Sequence, residues 1–519
     1  MASLRAFERA LAALPLAYPG PGGAVAVLRD GEVLARHAWG WADVDRHIAF
    51  TPQTLFRICS ISKQFTCAAM LDLFPDPRVL DGDVRALLPL LEEQAPGALD
   101  LAHNQSGLRD YWAVAMLSGS PIEARFGEAE TAQVIGRTRS LQFAPGTRYS
   151  YCNQNFRILG DILAARAGRS YAELVRSRVF DRAGMATAQL CADTSVMPDG
   201  TLGYEGSLEG GFRPAVNNIV WTGDAGLGAS LDDMIAWERF IDATREDAAG
   251  IYQQMSEPVQ FRDGALAGYG FGLARVKLLG RAGTGHGGGL RGWRSFRFYL
   301  PAERISIVAL FNHMADPRAA ALDLLATLLE PDARPASPPA VTHWNGVFLE
   351  PQTGLAVRLA TSAENRVTLK FVQGTETLEP GPDGQALGGS TTLRRTDAGI
   401  WMDRAGDNQS SLLSPVFGVA EADVVGVFDN AELGASFTCV DAGGTLYGAF
   451  SGFLGSGVMQ LLVPVAADVW MLPMPRALDH APPGDWTLAF QRDGAGRVAS
   501  VRIGCWLARR LLFIRRDAD

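Results

Sequence analysis

The chain has 519 residues, 47% of them apolar and 20% charged, which is the profile of a globular, soluble protein and excludes a disordered or fibrous one. At roughly 100 to 200 residues per domain, this length predicts about three or four domains. Lys and Arg total 47 against 56 Asp and Glu, which gives a net charge of −9. Because no positive field is available to attract phosphate groups, we expect neither nucleic acid nor an anionic membrane as a partner.

The cysteines predict a reducing environment. They form no C-x-x-C pair and lie in largely apolar stretches, which is typical of reduced thiols. No apolar run approaches the roughly 18 residues that a membrane-spanning helix needs. We therefore expect a cytoplasmic protein without a disulfide framework. The cysteines are Cys59, Cys67, Cys152, Cys191, Cys439 and Cys505.

Helical and strand patterns mix through the first 330 residues. Apolar residues recur at helical spacing over 4–14, residues 24–28 and 32–39 indicate a hairpin, and a helix of about four turns is predicted to begin at Ser60. Together these patterns predict an α+β domain at residues 1–330, whose antiparallel sheet is assembled from both ends of the segment. The other predicted helices cover 157–167, 171–180, 231–243 and 317–329, and the other strands cover 269–277, 293–299 and 305–312.

The composition changes after residue 330. Residues 331–341 hold four prolines, which predicts a stiff linker. Beyond it helical periodicity nearly vanishes, and short strand patterns separated by turns indicate all-β structure. A boundary near Ser414 divides this region into two β-barrel-like domains, residues 342–414 and 415–519, which could be diverged copies of one unit.

The first chemical motif is Ser60-x-x-Lys63, at the start of a predicted helix. A spacing of three places both side chains on one face, so the lysine amine can reach the serine hydroxyl. A serine becomes a nucleophile when a base removes its proton, and a lysine serves as that base when burial lowers its pKa. The chain has only three lysines, and arginine could not act as the base because it stays protonated. The alternative interpretation is a helix cap followed by a solvated lysine.

Two further motifs carry candidate site residues. Tyr151 and Asn153 follow a Pro-Gly turn and lie two apart, so both side chains project the same way from an extended segment and can line one pocket wall. His286 lies in the glycine-rich run 283–289, on a predicted edge strand whose bare backbone lets a ligand approach closely. The structural alternatives are a turn with buried aromatic rings and a flexible loop with an incidental histidine.

Motifs for other chemistries are missing from the sequence. The glycine-rich run formally matches G-x-G-x-x-G, but no βαβ unit surrounds it, so we reject a dinucleotide site. The chain has no H-E-x-x-H, no paired C-x-x-C and no G-x-S-x-G. We therefore expect neither a metal nor a cofactor.

In order and spacing, the motifs resemble those of the penicillin-recognising serine hydrolases. That family includes class C β-lactamases, DD-peptidases, esterases and D-stereospecific aminopeptidases. The resemblance covers about residues 20–315 and implies a β-lactamase-like fold for the catalytic domain. The matching motifs are Ser60-x-x-Lys63, Asn104-x-Ser106-Gly107-Leu108, Tyr151-x-Asn153, Tyr269-Gly270-x-Gly272 and His286-x-Gly288.

The chain departs from the family pattern at three positions. His286 stands where many members have Lys, Cys152 where Ser is usual, and Asn104 where the family has His. The histidine disfavours a β-lactamase and fits the peptidase, aminopeptidase and esterase branches. Because two β domains follow the catalytic domain, the chain is most similar to the D-aminopeptidase branch, whose members release N-terminal D-residues from peptides and amides.

The resemblance also implies a role for each site residue. Ser60 would attack the scissile carbonyl, while Lys63 and Tyr151 would share the general base and general acid work. The main-chain N–H groups of Ser60 and Gly289 would form the oxyanion hole. Substrate binding and support of the pocket's polar network would fall to Asn153, Gly288 and His286.

An aminopeptidase must also bind a protonated α-amine, which requires a carboxylate that the motifs do not supply. Residues 471–485 are too rich in proline for a strand interior and too apolar for a solvated loop. We expect this segment to reach from the last domain into the active site, where Asp479 would bind the amine. The alternative is a surface loop that covers a barrel mouth.

Other interpretations remain open at the sequence level. The protein could be an esterase, a D-amino-acid amidase or a DD-peptidase of the same family, or a non-catalytic binding protein on this scaffold. The resemblance further implies a homodimer, a small peptide or amide substrate with a free N-terminal D-residue, and a site that β-lactams could inhibit.

Overall fold

A computed structural model describes residues 2–329, 344–362, 366–371, 374–474, 477–479 and 484–517. An eight-stranded sheet forms the centre of the N-terminal part, and its strands come from both ends of that part, since Gly22–Arg29 pairs antiparallel with Ile305–Phe311. The expected antiparallel sheet is thus confirmed. Its strand order is Ile48–Ala49, Glu32–Asp43, Gly22–Arg29, Ile305–Phe311, Trp293–Leu300, Arg281–Leu290, Leu273–Leu278 and Tyr269–Gly270.

Helices cover both faces of this sheet. Val25 packs toward the two terminal helices, Ala2–Ala17 and Pro317–Leu328, whereas the adjacent Ala24 belongs to the larger core on the other face. Within the described part of the chain, no helix has the length and apolar character needed to cross a membrane. The other helices are Ser62–Leu73, Asp81–Leu87, Ala98–Ala102, Tyr111–Leu117, Glu128–Gly136, Asn153–Ala167, Tyr171–Val175, Asp181–Ala183, Leu231–Ala243 and Ile251–Ser256.

Five short strands lie outside the central sheet of the N-terminal part. Phe56–Arg57, Leu227–Ala229 and Gln189–Leu190 form a three-stranded sheet, and Tyr204–Ser207 pairs with Gly211–Pro214 in a hairpin. The strand Phe56–Arg57 ends just before the Ser60 turn in the chain. Its pairing with Leu227–Ala229 connects that turn to the segment around residue 227.

One predicted strand is wrong. The segment 269–277 is split into Tyr269–Gly270 and Leu273–Leu278, which pair with each other across Phe271 and Gly272, two residues with φ of 50° and 74°. A Cβ on Gly272 would lie 2.5 Å from the main-chain carbonyl carbon of Lys63. The strand breaks because its turn packs directly on the helix behind Ser60, a contact that strand periodicity cannot reveal.

The residues after 343 form two antiparallel sheets, which we call the first barrel (346–415) and the second barrel (426–515). Each closes on itself, since Gly346–Glu350 pairs with Ser414–Pro415 and Gly426–Asn430 pairs with Ala508–Arg515. The other strands of the first barrel are Leu355–Thr361, Val367–Lys370, Thr375–Pro380, Ala386–Leu387, Thr392–Thr396, Gly399–Arg404 and Gln409–Leu412. Those of the second are Ala435–Asp441, Leu446–Gly452, Gly455–Ser456, Gln460–Leu461, Val463–Ala466, Val469–Leu472, Trp486–Arg492 and Val498–Cys505.

The two barrels begin with matching hairpins. The tripeptide G-V-F opens each first strand at Gly346 and Gly426, whose φ values are 157° and 155°. Each second strand then starts directly after a glycine in the left-handed region, Gly354 or Gly434. This agreement in sequence and backbone supports the interpretation that the barrels are diverged copies. The predicted linker 331–341 lies outside the described residues, and the domain boundaries at 330, 341 and 414 remain predictions.

A buried ion pair fastens the helix Leu231–Ala243 to the central sheet. The Arg297 guanidinium donates to both carboxylate oxygens of Glu238, at 2.7 and 2.5 Å, and both side chains have no exposed surface. Ser306 donates a further hydrogen bond to the same carboxylate at 2.7 Å. Removing one partner would leave the other charge buried without compensation.

We therefore expect Glu238→Gln to lower the free energy of unfolding by about 3 kcal/mol. Thermal and urea unfolding monitored by intrinsic fluorescence would measure the change. Glu246→Gln is the matched control, because Glu246 pairs with Arg245 at 2.7 Å but is 82% exposed, and it should leave the unfolding midpoint unchanged. Equal midpoints for the two variants would contradict the role assigned to the buried pair.

Candidate active site

Ser60 sits in a 3-10 turn, Cys59–Ile61, that leads directly into the helix Ser62–Leu73. The turn lies against the strand Arg281–Leu290, which is not the edge strand that we expected, because it pairs with Leu273–Leu278 on one side and with Trp293–Leu300 on the other. A Cβ on Gly288 would come within 2.3 Å of the Ile58 carbonyl oxygen. Glycine at 288 therefore lets the main chain of this strand pack directly against the serine turn. Ser60 opens into a cavity of about 630 Å³, which we call the active-site cavity.

Lys63 lies one helical turn behind Ser60 and is fully buried. Its Nζ lies 3.1 Å from Ser60 Oγ, 2.9 Å from Asn153 Oδ1 and 2.7 Å from the Asp224 carbonyl oxygen. Burial lowers the pKa of Lys63 to about 8, against the opposing effect of nearby carboxylates such as Asp224. The predicted S-x-x-K contact between the two side chains is present.

These three contacts determine what Lys63 can do when it is neutral. A neutral amine keeps two N–H donors and one lone pair. Asn153 Oδ1 and the Asp224 carbonyl oxygen can only accept, so they take the two donors. The lone pair is then left facing Ser60 Oγ, which is the arrangement a general base requires.

Tyr151 is held beside the serine by the main chain on either side of it. The N–H groups of Ser150 and Cys152 donate to the main-chain and side-chain oxygens of Asn104, at 3.0 and 3.2 Å. Burial raises the pKa of Tyr151 well above its ordinary value, and the neighbouring Ser60 side chain opposes that rise. The tyrosine is therefore a neutral hydroxyl that can both accept and donate a proton. Asn104, which departs from the family pattern, supports this segment.

Asn153 depends on Asp110, a residue that sequence reasoning missed. One carboxylate oxygen of Asp110 accepts from the Asn153 main-chain N–H at 2.6 Å and from its side-chain Nδ2 at 2.9 Å. These bonds turn the amide so that its oxygen faces Lys63. Burial raises the pKa of Asp110 to about 6, while its hydrogen bonds to Asn153 oppose that rise. The only sequence signal was its position two residues after the S-G-L motif.

His286 contacts Tyr269 and not the nucleophile. Its Nδ1 lies 2.5 Å from the Gly287 carbonyl oxygen, so Nδ1 carries the hydrogen and Nε2 accepts from the Tyr269 hydroxyl at 3.0 Å. Burial lowers the pKa of His286 to about 3, which keeps the ring neutral. The Tyr151 ring lies 6.1 Å from the imidazole, centroid to centroid. This geometry is compatible with the predicted support of the polar network.

The cavity brings the predicted site residues together. Lys63 is not among the lining residues, but it hydrogen-bonds Ser60, which is. The oxyanion-hole role of the Ser60 and Gly289 N–H groups remains a prediction. In the ranges that the structure describes, no group of three His, Cys, Asp or Glu side chains is placed to hold a metal ion. The predicted residues that line the cavity are Ser60, Tyr151, Asn153, His286, Gly288, Gly289 and Asp479.

Asp479 is the predicted residue most distant in sequence from the others. It lines the cavity. Burial lowers the pKa of both Lys63 and Arg294, and the charge of Asp479 opposes that shift in each, so Asp479 acts on the same electrostatic environment as the base. The segment 471–485 is not wholly a loop as predicted, because its first two residues end the strand Val469–Leu472. Residues 475–476 and 480–483 lie outside the described part.

Both barrels contribute walls that the sequence did not predict. Trp506 and Leu507, at the tip of the last hairpin of the second barrel, line the cavity. Arg404 and Asp407 from the first barrel line it too, and they form a buried ion pair at 2.5 Å. The Arg404 guanidinium lies 5.2 Å from the Trp506 ring centroid, which connects the two barrels at the cavity rim.

Comparison with known proteins agrees with this arrangement. Residues 5–330 match the Beta-lactamase family, and residues 338–514 match the family described as D-aminopeptidase, domain B. The chain is 54% identical to the D-aminopeptidase of Gluconobacter oxydans (strain 621H) and 46% identical to that of Brucella canis, over 98% of each chain in both cases. The chain belongs to the D-aminopeptidase family. Its catalytic fold is the β-lactamase-like fold that the motifs implied.

Solved structures share the fold at lower sequence identity. The octameric penicillin-binding protein homologue from Pyrococcus abyssi superposes with a TM-score of 0.52 at 19% identity, covering 85% of this chain and 97% of its own. The D-amino acid amidase from Ochrobactrum anthropi SV3, solved with L-phenylalanine, gives 0.51 at 19% identity, covering 62% and 98%. The fold of this D-aminopeptidase family member therefore extends across distant sequences.

The protonation state of Lys63 predicts how the reactivity of Ser60 depends on pH. The neutral amine is the active form, and its pKa is about 8, so the rate should rise with pH and reach a plateau above about pH 9. His286 should not contribute, since it stays neutral throughout that range. The rate of phosphonylation by a fluorophosphonate probe, measured from pH 6 to 10, would report this profile.

Lys63→Arg should lower that rate by about 100-fold or more, because arginine keeps the charge but cannot accept a proton. Lys277→Arg is the control, since Lys277 is exposed on a strand and should label at the native rate. Native labelling of Lys63→Arg would exclude the lysine as the base.

Proposed function

We propose that this protein is a serine hydrolase that releases N-terminal D-residues from peptides and amides. The observation that carries the proposal is the buried Lys63 amine, whose lone pair can face only Ser60 once its two other partners are satisfied. The 54% identity to a D-aminopeptidase over nearly the whole chain supports the same activity.

Acylation follows from the contacts. Lys63 takes the Ser60 proton, and Oγ attacks the scissile carbonyl carbon, so a C–O bond forms and the carbonyl oxygen becomes an oxyanion. In this proposal the main-chain N–H groups of Ser60 and Gly289 stabilise that charge, as the family resemblance implies. When the C–N bond breaks, the leaving amine takes the proton back from Lys63, directly or through Tyr151. Water then attacks the acyl-enzyme with the same groups acting as base.

Recognition of the N-terminal residue involves the rest of the cavity. Asp479 supplies a carboxylate for the substrate ammonium group on the wall of the cavity, where its charge already acts on the cationic Lys63. Trp112 and Leu507 supply apolar walls for the first side chain. In this proposal a substrate with one residue ahead of the scissile bond is preferred, because a longer or acylated N-terminus has no ammonium group at that place for Asp479 to bind.

We further propose a homodimer in the cytoplasm. The location is supported by the six cysteines, which are all buried free thiols, as expected in a reducing compartment. The dimer and inhibition by β-lactams rest on the family resemblance of the motifs. Gel filtration coupled to light scattering would measure the mass, with a monomer contradicting the dimer.

The activity is tested with paired substrates. We expect D-alanine p-nitroanilide to be cleaved with a kcat/KM at least about 100-fold above that of the L-isomer, and Ser60→Ala to abolish both reactions. Turnover of p-nitrophenyl acetate without cleavage of either anilide would identify an esterase instead. Failure of the fluorophosphonate probe to modify Ser60 would identify a non-catalytic protein.

The amine-binding role is tested with Asp479→Asn. Loss of the carboxylate should lower kcat/KM for D-alanine p-nitroanilide by roughly 30-fold or more, and should leave p-nitrophenyl acetate, which has no amine, nearly unaffected. Asp316→Asn is the matched control, because Asp316 is an exposed carboxylate that lines the same cavity. Unchanged anilide kinetics in Asp479→Asn would reject the role.

A further inference from the structure

The helix Tyr111–Leu117 is attached to the second barrel at its N-terminal end. The main-chain N–H of Asp110, the residue that caps this helix, donates to the Leu507 carbonyl oxygen at 2.9 Å. The preceding residue is attached as well, since Arg109 Nε donates to the Arg509 carbonyl oxygen at 3.3 Å. Both acceptors belong to the hairpin whose tip lines the active-site cavity.

The C-terminal end of the same helix is attached to a different hairpin of the second barrel. The N–H of Leu454 donates to the Ser118 carbonyl oxygen at 3.0 Å. Gly119 approaches so closely that a Cβ there would lie 2.1 Å from the Gly455 carbonyl oxygen. The helix is therefore attached to the second barrel by main-chain contacts at both ends.

The residue at the fixed N-terminal end directs the amide beside the base. One oxygen of Asp110 caps the helix by accepting from the Trp112 N–H at 2.9 Å, and the other accepts from both N–H groups of Asn153. Only one orientation of the amide satisfies these bonds, with Nδ2 toward Asp110 and Oδ1 toward Lys63. The flipped amide would place a carbonyl oxygen against a carboxylate and N–H donors against an ammonium group.

From this chain of contacts we propose that Asp110 is a positioning residue for the base, and that the second barrel sets its position through the Leu507 carbonyl group. The barrel then has a part in catalysis that is separate from amine recognition by Asp479. The inference rests on the proposed function only in taking Lys63 as the base that activates Ser60.

The substitution Asp110→Asn isolates this role. An asparagine has one acceptor oxygen where the aspartate has two, so it cannot accept from the Trp112 N–H and from the Asn153 N–H groups at the same time. Either the helix cap or Asn153 loses its acceptor, and in both cases the support that directs Asn153 Oδ1 toward Lys63 is weakened. Lys63 also loses a nearby counter-charge.

We expect Asp110→Asn to reduce the plateau rate of fluorophosphonate labelling at Ser60 by about 100-fold or more. The midpoint of the pH profile should also move to lower pH, because the protonated lysine loses a counter-charge. A purely structural defect would not shift that midpoint. The other groups that face Lys63 are Asp224, Asp479, Cys59, Tyr151 and His286, and all are unchanged in this variant.

Asp233→Asn is the matched control. Asp233 is a buried carboxylate in the first turn of the helix Leu231–Ala243, and it accepts from the Ser230 and Thr187 N–H groups. It lies outside the cavity lining, so its loss should leave the labelling rate and the pH midpoint at their native values. Thermal unfolding of both variants would show that they are folded at the assay temperature.

The outcomes separate this inference from the proposed function. If the native protein is not labelled at Ser60, the proposed function fails. If the native protein is labelled and Asp110→Asn matches it in rate and pH midpoint, the positioning role is overturned and the proposed function stands. A lower rate with an unmoved midpoint would also reject the role, since it would indicate general disruption.

The part played by the barrel is tested with Glu432→Ala. Glu432 belongs to the second barrel, lies outside the cavity lining and accepts from Arg109 Nη1 at 3.1 Å. Its loss should loosen the attachment beside Asp110 and slow labelling of Ser60 by roughly threefold. The KM for D-alanine p-nitroanilide should not change, because Asp479 is untouched. A native labelling rate in the folded variant would overturn the barrel's part.

Discussion

The burial of one lysine amine sets the constraint on which this active site depends. An ammonium group in a closed interior needs an acceptor for each of its protons, and Lys63 has three partners of which two cannot donate. The same burial that makes the charge costly brings the pKa near neutrality. Two carbonyl oxygens therefore fix the direction of the lone pair, and the chemistry of Ser60 follows from that direction.

Direct contacts between main-chain segments keep Lys63 and Ser60 in place. Gly272 lets the turn at 271–272 pack on the main chain of Lys63, and Gly288 lets the strand Arg281–Leu290 pack on the main chain of Ile58, just before Ser60. A side chain at either position would overlap main-chain atoms, so packing holds the segment 58–63 without relying on flexible groups. The same closeness excludes water from the lysine, which maintains its low pKa.

The sequence predicted the parts of the site that lie close together in the chain or belong to recognisable motifs. Ser60 and Lys63 lie one helical turn apart, so local geometry was enough to pair them. Tyr151 and Asn153 were expected on one face of an extended segment. In the structure Asn153 begins the helix Asn153–Ala167, and the two residues still line the same cavity. The central sheet and the all-β tail could likewise be predicted from periodicity. The family resemblance supplied the order of the motifs and pointed to His286.

The remaining residues could not be predicted because their roles come from contacts between distant segments. Asp110 has an ordinary capping position in the sequence, and only the fold places its second oxygen on Asn153. Asp224 acts through a main-chain carbonyl group, which any residue type would supply. The break at Phe271 was missed for the same reason, since the helix against which it packs is about 200 residues away in the chain.

The contact between Leu507 and Asp110 has a consequence for how such an enzyme could change over generations. The atom that holds the helix is a main-chain oxygen, while the side chain of the same residue forms part of the cavity wall. Substitutions at 507 can therefore reshape the space offered to a substrate without removing the bond on which the lysine depends. The side chain at 507 can therefore change and alter substrate selectivity, while the main-chain oxygen of the same residue keeps the contact that supports the reactivity of Ser60.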